Sequence, residues 1–95
     1  MVIGVLILEI QLPGCQSLKE KRGRLKPLLA RLHREFNVSA SEVDLNDSWQ
    51  LSLIACSTVS NNRAHTTRSL QKIVTWMDVH WPDATIIDDR IELYG

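Results

Sequence analysis

Hydrophobic residues recur along this chain with two different periods, and the switches between them divide it into six segments. Val2, Leu6, Leu8, Ile10 and Leu12 alternate with Ile3, Val5, Ile7, Glu9 and Gln11. This is the period of a strand with one face wholly buried and the other apolar at one end, which places it centrally in its sheet. Leu18, Leu25, Leu29, Leu32 and Phe36 then fall at helical spacing over Ser17–Phe36. Ser17 is the expected N-cap, and Glu20 three residues later completes a capping box after the turn Pro13-Gly14-Cys15. Pro27 removes an intrahelical hydrogen bond and crowds the carbonyl of Gly23, which predicts a kink. Asn37 suits a left-handed C-cap.

Val38–Asp44 is a half-polar strand suited to a sheet edge. Asn46-Asp47-Ser48 supplies turn chemistry, and Trp49–Ser60 returns as a more apolar strand, so the two form a hairpin. Ser60-Asn61-Asn62 offers N-caps for a second helix to about His80, with Ala64, Leu70, Ile73, Val74 and Met77 as its buried residues. Trp81-Pro82-Asp83 stops it. Ala84–Tyr94 is a second edge strand, because Asp88, Asp89, Arg90 and Glu92 are interspersed among its apolar residues. Strand, helix, strand, strand, helix, strand is the order of the α+β ferredoxin-like split βαβ fold, a four-stranded antiparallel sheet with both helices on one face. Its first and third strands are central, in agreement with their apolar character. Ninety-five residues support one core and one domain, 1–95. Trp49, Trp76 and Trp81 fit core or rim packing.

Charge changes this picture. The formal net charge is zero, yet residues 1–36 hold seven of the eleven Lys and Arg residues against three acids. Residues 37–95 hold four basic residues against eight acids. Lys19, Lys21, Arg22, Arg24 and Lys26 crowd the first half of the first helix, where the macrodipole disfavours cations. Cations at that end of a helix suggest an anionic partner. Lys19, Lys21, Arg24, Lys26 and Arg63 are the expected phosphate contacts, with Arg63 at the start of the second helix and both helices taken to begin at one end of the sheet. Arg22 is placed nearer the apolar stripe, as a phosphate contact or as an ion-pair partner of Glu42 or Glu9.

No residue pattern supplies reaction chemistry. His33, His65 and His80 are too far apart for a local metal motif, and there is no Cys-x-x-Cys, His-Glu-x-x-His or glycine-rich phosphate loop. A non-enzymatic protein without a cofactor is expected, and an enzyme using Cys15 or His65 is the weakest alternative. Base stacking on the sheet, as in the RNA-recognition motif, is disfavoured because the two central strands offer no aromatic ring from Ile3, Val5, Ile7, Leu51, Leu53, Ile54 or Val59. The open apolar face suggests a homodimer joined sheet to sheet through Ile3, Val5 and Ile7. The alternative is a protein-interaction module that acts through this face or through the edge strands Val38–Asp44 and Ala84–Tyr94. No apolar run reaches the roughly 18–20 residues of a membrane span. Met1–Ile10 lacks a basic lead and is interrupted by Glu9, so a buried strand is expected there and not a signal peptide. Two cysteines without a secreted disulfide framework point to the cytoplasm.

Several motifs in order carry a resemblance. Ser17-Leu18-Lys19-Glu20-Lys21-Arg22 after the first strand, Phe36-Asn37-Val38-Ser39 with Glu42-Val43, then Asp47, Trp49-Gln50, and Ser60-Asn61 with Arg63-Ala64-His65 resemble the YlxP-like family of small bacterial proteins. The resemblance implies a ferredoxin-like fold. The family's gene neighbourhood, beside translation initiation factor two and ribosome-binding factor A, implies association with ribosomal RNA or a ribosomal subunit. The chain departs from the family pattern at Asn62, where an acid is common, and at Pro27, in a helix that is usually continuous.

Overall fold

Alternation along the first strand, β1 (Val2–Gln11), decides the layering of the protein. Val2, Gly4, Leu6, Leu8 and Ile10 are buried beneath two helices, while Ile3, Val5, Ile7 and Glu9 are half-buried on the opposite face. The computed structural model describes all residues, 1–95. After β1 come α1 (Leu18–Phe36), β2 (Ser39–Asp44), β3 (Leu51–Ser60), α2 (Arg63–His80) and β4 (Thr85–Tyr94). The sheet order is β2-β3-β1-β4 with every neighbour antiparallel, so the fold is the α+β ferredoxin-like split βαβ and β1 and β3 are central. Leu6, Leu8, Ile10 and Leu12 meet Leu25, Leu28 and Leu32 of α1 and Leu70, Ile73 and Met77 of α2 in one core. Each such side chain contributes about 1.5–3 kcal/mol on burial.

The helix ends follow local chemistry. Ser17 Oγ accepts the Glu20 N–H at 3.0 Å. The return half of the expected capping box is not made, because the Glu20 carboxylate turns to Arg24 at 3.6 Å. α1 runs through Pro27 as one helix and ends at Asn37, which is left-handed (φ 51, ψ 48) and donates its N–H to the His33 carbonyl. Asn62 caps α2 by accepting the His65 N–H at 2.9 Å, the role an acid at that position also fills.

Several expected core assignments change, and Val74 is half-buried where it was expected to be buried. Leu28, immediately after Pro27, is fully buried, whereas Leu18, Leu29 and Phe36 are half-buried. Ala64 is exposed and Thr66 takes the inward position, since the buried row of α2 runs Thr66, Leu70, Ile73 and Met77 and Ala64 lies about 200° around the helix from its start. The Thr66 hydroxyl donates to the Asn62 carbonyl at 2.9 Å, which satisfies it inside the core. Trp76 and Trp81 pack as expected, with ring centroids 6.0 Å apart, and Phe36 meets Trp76 edge-on at 5.6 Å. Trp49, in contrast, is 53% exposed and lies outside β3, which starts at Leu51.

Both cysteines are free and buried. Burial pushes the Cys56 thiol up from 9.0 to about 12. The unfolded chain therefore loses this proton first. The stability it contributes is complete below about pH 9 and is lost as pH rises toward 12, at about 1.4 kcal/mol per pH unit. Urea denaturation across pH 8–11 is expected to show this alkaline decline, and Cys56→Ala is expected to flatten it.

Candidate functional site

The basic half of α1 separates into engaged and free cations. Lys21 is 1% exposed. Its Nζ donates to the carbonyls of Leu45 and Ser48, each at 2.7 Å, and lies 2.7 Å from Glu42 Oε2. An ammonium has three protons, and all three are used. The Ser52 hydroxyl donates to the same Glu42 oxygen at 2.6 Å. Lys21 is therefore a buried anchor between α1 and the β2–β3 turn, and its expected place among the phosphate contacts is corrected. The ion-pair role foreseen for Arg22 belongs to Lys21 instead. Glu42 is already occupied, and Glu9 lies on the sheet face away from α1.

Arg24 is also engaged. Its guanidinium donates to the carbonyls of Pro13 at 2.9 Å and Asp83 at 2.7 Å, and joins the loop before α1 to the loop before β4. Arg63 donates to the Gly95 carbonyl at 3.2 Å. Register decides its distance from the others. Gln11 lies opposite Leu51 and Val2 opposite Ser60, so α1 begins beyond one end of the sheet and α2 beyond the other. The two helices start at opposite ends, about 30 Å apart, and the expected joint site of Arg63 with the basic end of α1 is not formed. The same geometry separates Cys15, before α1, from His65, in the first turn of α2. Cys15 Sγ is buried and donates to the Ser17 carbonyl.

Lys19, Arg22 and Lys26 remain. All three are exposed, and none makes a hydrogen bond or ion pair within the chain. Spaced i, i+3 and i+7, they run along one side of α1. Arg22 and Lys26 border a shallow recess floored by Leu25 and Leu29 and closed by Glu42. The turn that Lys21 ties to α1 presents exposed Trp49 directly after Ser48, at the same end of the molecule. Sequence reasoning missed Trp49 as a surface group. Its signal was position, directly after the turn residues Asn46-Asp47-Ser48 and before the first paired residue of β3.

Ile3, Val5 and Ile7 share the open sheet face. No group of three or more His, Cys, Asp or Glu side chains is placed to hold a metal ion. No helix is long and apolar enough to cross a membrane.

Fold and surface together define a small ferredoxin-like α+β domain with a basic helix laid over its sheet. The chain belongs to the YlxP-like family. A family profile described as "Protein of unknown function (DUF503)" matches residues 3–91. The uncharacterized protein YlxP of Bacillus subtilis (strain 168) is 38% identical over 77 residues, covering 81% of this chain and 84% of that relative.

Proposed function

We propose that this chain is a non-enzymatic cytoplasmic RNA-binding protein whose partner is structured RNA, ribosomal RNA or a ribosomal subunit foremost. Lys19, Arg22 and Lys26 contact backbone phosphates. The observation that carries this reading is that these three cations are exposed, aligned and free of any partner in the chain, in the N-terminal half of α1, where the macrodipole adds to the field of Lys19 in the first turn. Trp49 offers a base-stacking surface at the same end. The open sheet face is unsuited to RNA, because its acids Glu9, Asp44, Asp88 and Glu92 outnumber its one basic side chain, Arg90. The family's gene neighbourhood among translation factors is in keeping with the reading.

Co-sedimentation with purified ribosomal subunits over a salt series tests it. Releasing counterions from about three phosphates gives a slope of log affinity against log salt of about −2 to −3. Replacing Lys19, Arg22 and Lys26 together with Glu is expected to abolish retention at about 100 mM salt and leave the fold intact, and Trp49→Ala to weaken retention about tenfold. Retention that survives the triple reversal sinks the proposal.

A further inference from the structure

The sheet face turned away from the helices carries a pattern that neither the core nor the basic ridge explains. Register sets its rows. Tyr94, Ile3 and Val59 lie side by side at one end, followed by Glu92, Val5 and Ser57, then by Arg90, Ile7 and Ala55. At the other end Asp88, Glu9, Leu53 and Asp44 form one row across all four strands. The face is therefore graded, apolar where β1 begins and acidic where it ends. Val59 is 67% exposed and Tyr94 52%, large values for apolar and aromatic side chains on a sheet.

The acidic row is costly to the isolated chain. Glu9 and Asp88 stand directly opposite each other on neighbouring strands, and like charges so placed repel. None of Glu9, Asp88 and Asp44 is in an ion pair. Arg90 is the only Lys or Arg in the four strands, and Glu92 already holds it at 3.2 Å. The Tyr94 hydroxyl donates to the other Glu92 oxygen at 2.6 Å. This hydrogen bond, with the Arg90 charge, holds the Glu92 carboxyl below its ordinary range, so it too stays anionic.

We propose that this face docks a basic amphipathic helix of a partner protein, laid along β1 with apolar residues over Ile3, Val5 and Val59 and with Lys or Arg over Glu9 and Asp88. Ile3 to Glu9 spans about 20 Å of strand, the length of about 14 helical residues. The face offers side chains and no free backbone groups at its centre, which suits a helix better than an added strand. Charge selects the partner. A second copy placed face to face sets four carboxylates against four, with the one guanidinium on each side already paired, and RNA phosphates meet the same repulsion. The proposal is independent of the phosphate contacts, because Lys19, Arg22 and Lys26 lie on α1, on the other side of the sheet.

The probe is a fluorescein-labelled peptide of about 14 residues, leucine-rich in one half and lysine-rich in the other at helical spacing, titrated with the full chain by anisotropy. Binding is expected to weaken at least about tenfold for Glu9→Lys with Asp88→Lys and for Val59→Asp. It is expected to be lost when the peptide lysines become glutamates and to be unchanged by Lys19→Glu with Lys26→Glu. Glu9→Gln is expected to raise Tm by about 2 °C while weakening binding, because it removes the repulsion along with the attraction. No binding, equal binding of the glutamate peptide, or indifference to the Glu9 and Asp88 reversals overturns the proposal. So does a dimer in sedimentation equilibrium that Val59→Asp dissolves, since a second copy then occupies the face. Loss of ribosome co-sedimentation with the peptide data unchanged bears on the RNA reading alone.

Discussion

Lys21→Met is expected to cost about 3–5 kcal/mol of stability, the loss seen when one member of a buried ion pair is removed and the other stays. In a domain of this size that lowers Tm by about 15 °C or more. The substitution leaves Glu42, whose side chain is 17% exposed, without its cation. It also strips a donor from the carbonyls of Leu45 and Ser48. Leu45 has a φ of 60, a left-handed conformation that only a surrounding structure sustains in a branched apolar residue. The Lys21 ammonium is the group that holds this turn against α1. Glu42→Gln keeps an acceptor for both Lys21 and Ser52 and is expected to cost less, about 1–3 kcal/mol. Thermal and urea unfolding measure both. At temperatures where Lys21→Met remains folded, its ribosome retention is expected to match that of the unaltered chain, whereas Lys19→Glu weakens retention without lowering Tm, since an acid in the first turn of α1 suits the macrodipole. A Lys21→Met protein of unchanged stability contradicts the anchor role.

Gly4→Ala is expected to cost about 2–3 kcal/mol, an overpacking penalty. A Cβ at Gly4 collides with Thr66 Cγ2 and meets Leu70 Cδ1 at 3.0 Å. Leu70 has rotamers with which to yield. Thr66 does not, because its hydroxyl is held by the Asn62 carbonyl and its methyl is thereby aimed at β1. Thr66→Ser keeps the hydroxyl and deletes the methyl. The double variant Gly4→Ala with Thr66→Ser is expected to recover most of the loss, a coupling that a double-mutant cycle measures. Independent, additive effects rule out this contact as the reason for glycine. The approach of α2 to β1 at this point lets the second helix close over the sheet, so the cost belongs to helix placement more than to β1 itself.

Much of the fold was legible because its signals are local. Period-two alternation along Val2–Gln11, the Ser17 cap and the left-handed Asn37 act within a few residues of themselves and lie where the pattern placed them, and Asn62 is one of the three caps offered for α2. Strand order followed from comparing apolar content, since only strands covered on both edges tolerate two apolar faces. The candidate site was legible only in part. The excess of cations on α1 is visible in the chain, but an isolated helix does not distinguish an outward lysine from one that crosses to a distant carboxylate. Lys21 and Arg22 are neighbours in sequence with opposite fates, one buried on Glu42 and one free. Arg24 was equally misjudged, as the carbonyl it reaches at Asp83 lies 59 residues away.

The amino-acid sequence alone determined six elements, their order and the surplus of positive charge on the first helix, because periodicity, capping and composition need no long-range partner. Tertiary structure alone decided that the helices begin at opposite ends, that Lys21 is buried and that Glu9, Asp88 and Asp44 share a row. Each depends on strand register or on a helix resting over a particular turn, where one residue's shift sends a side chain to the other face. That choice is made by packing the whole core at once, and no window of the sequence contains it.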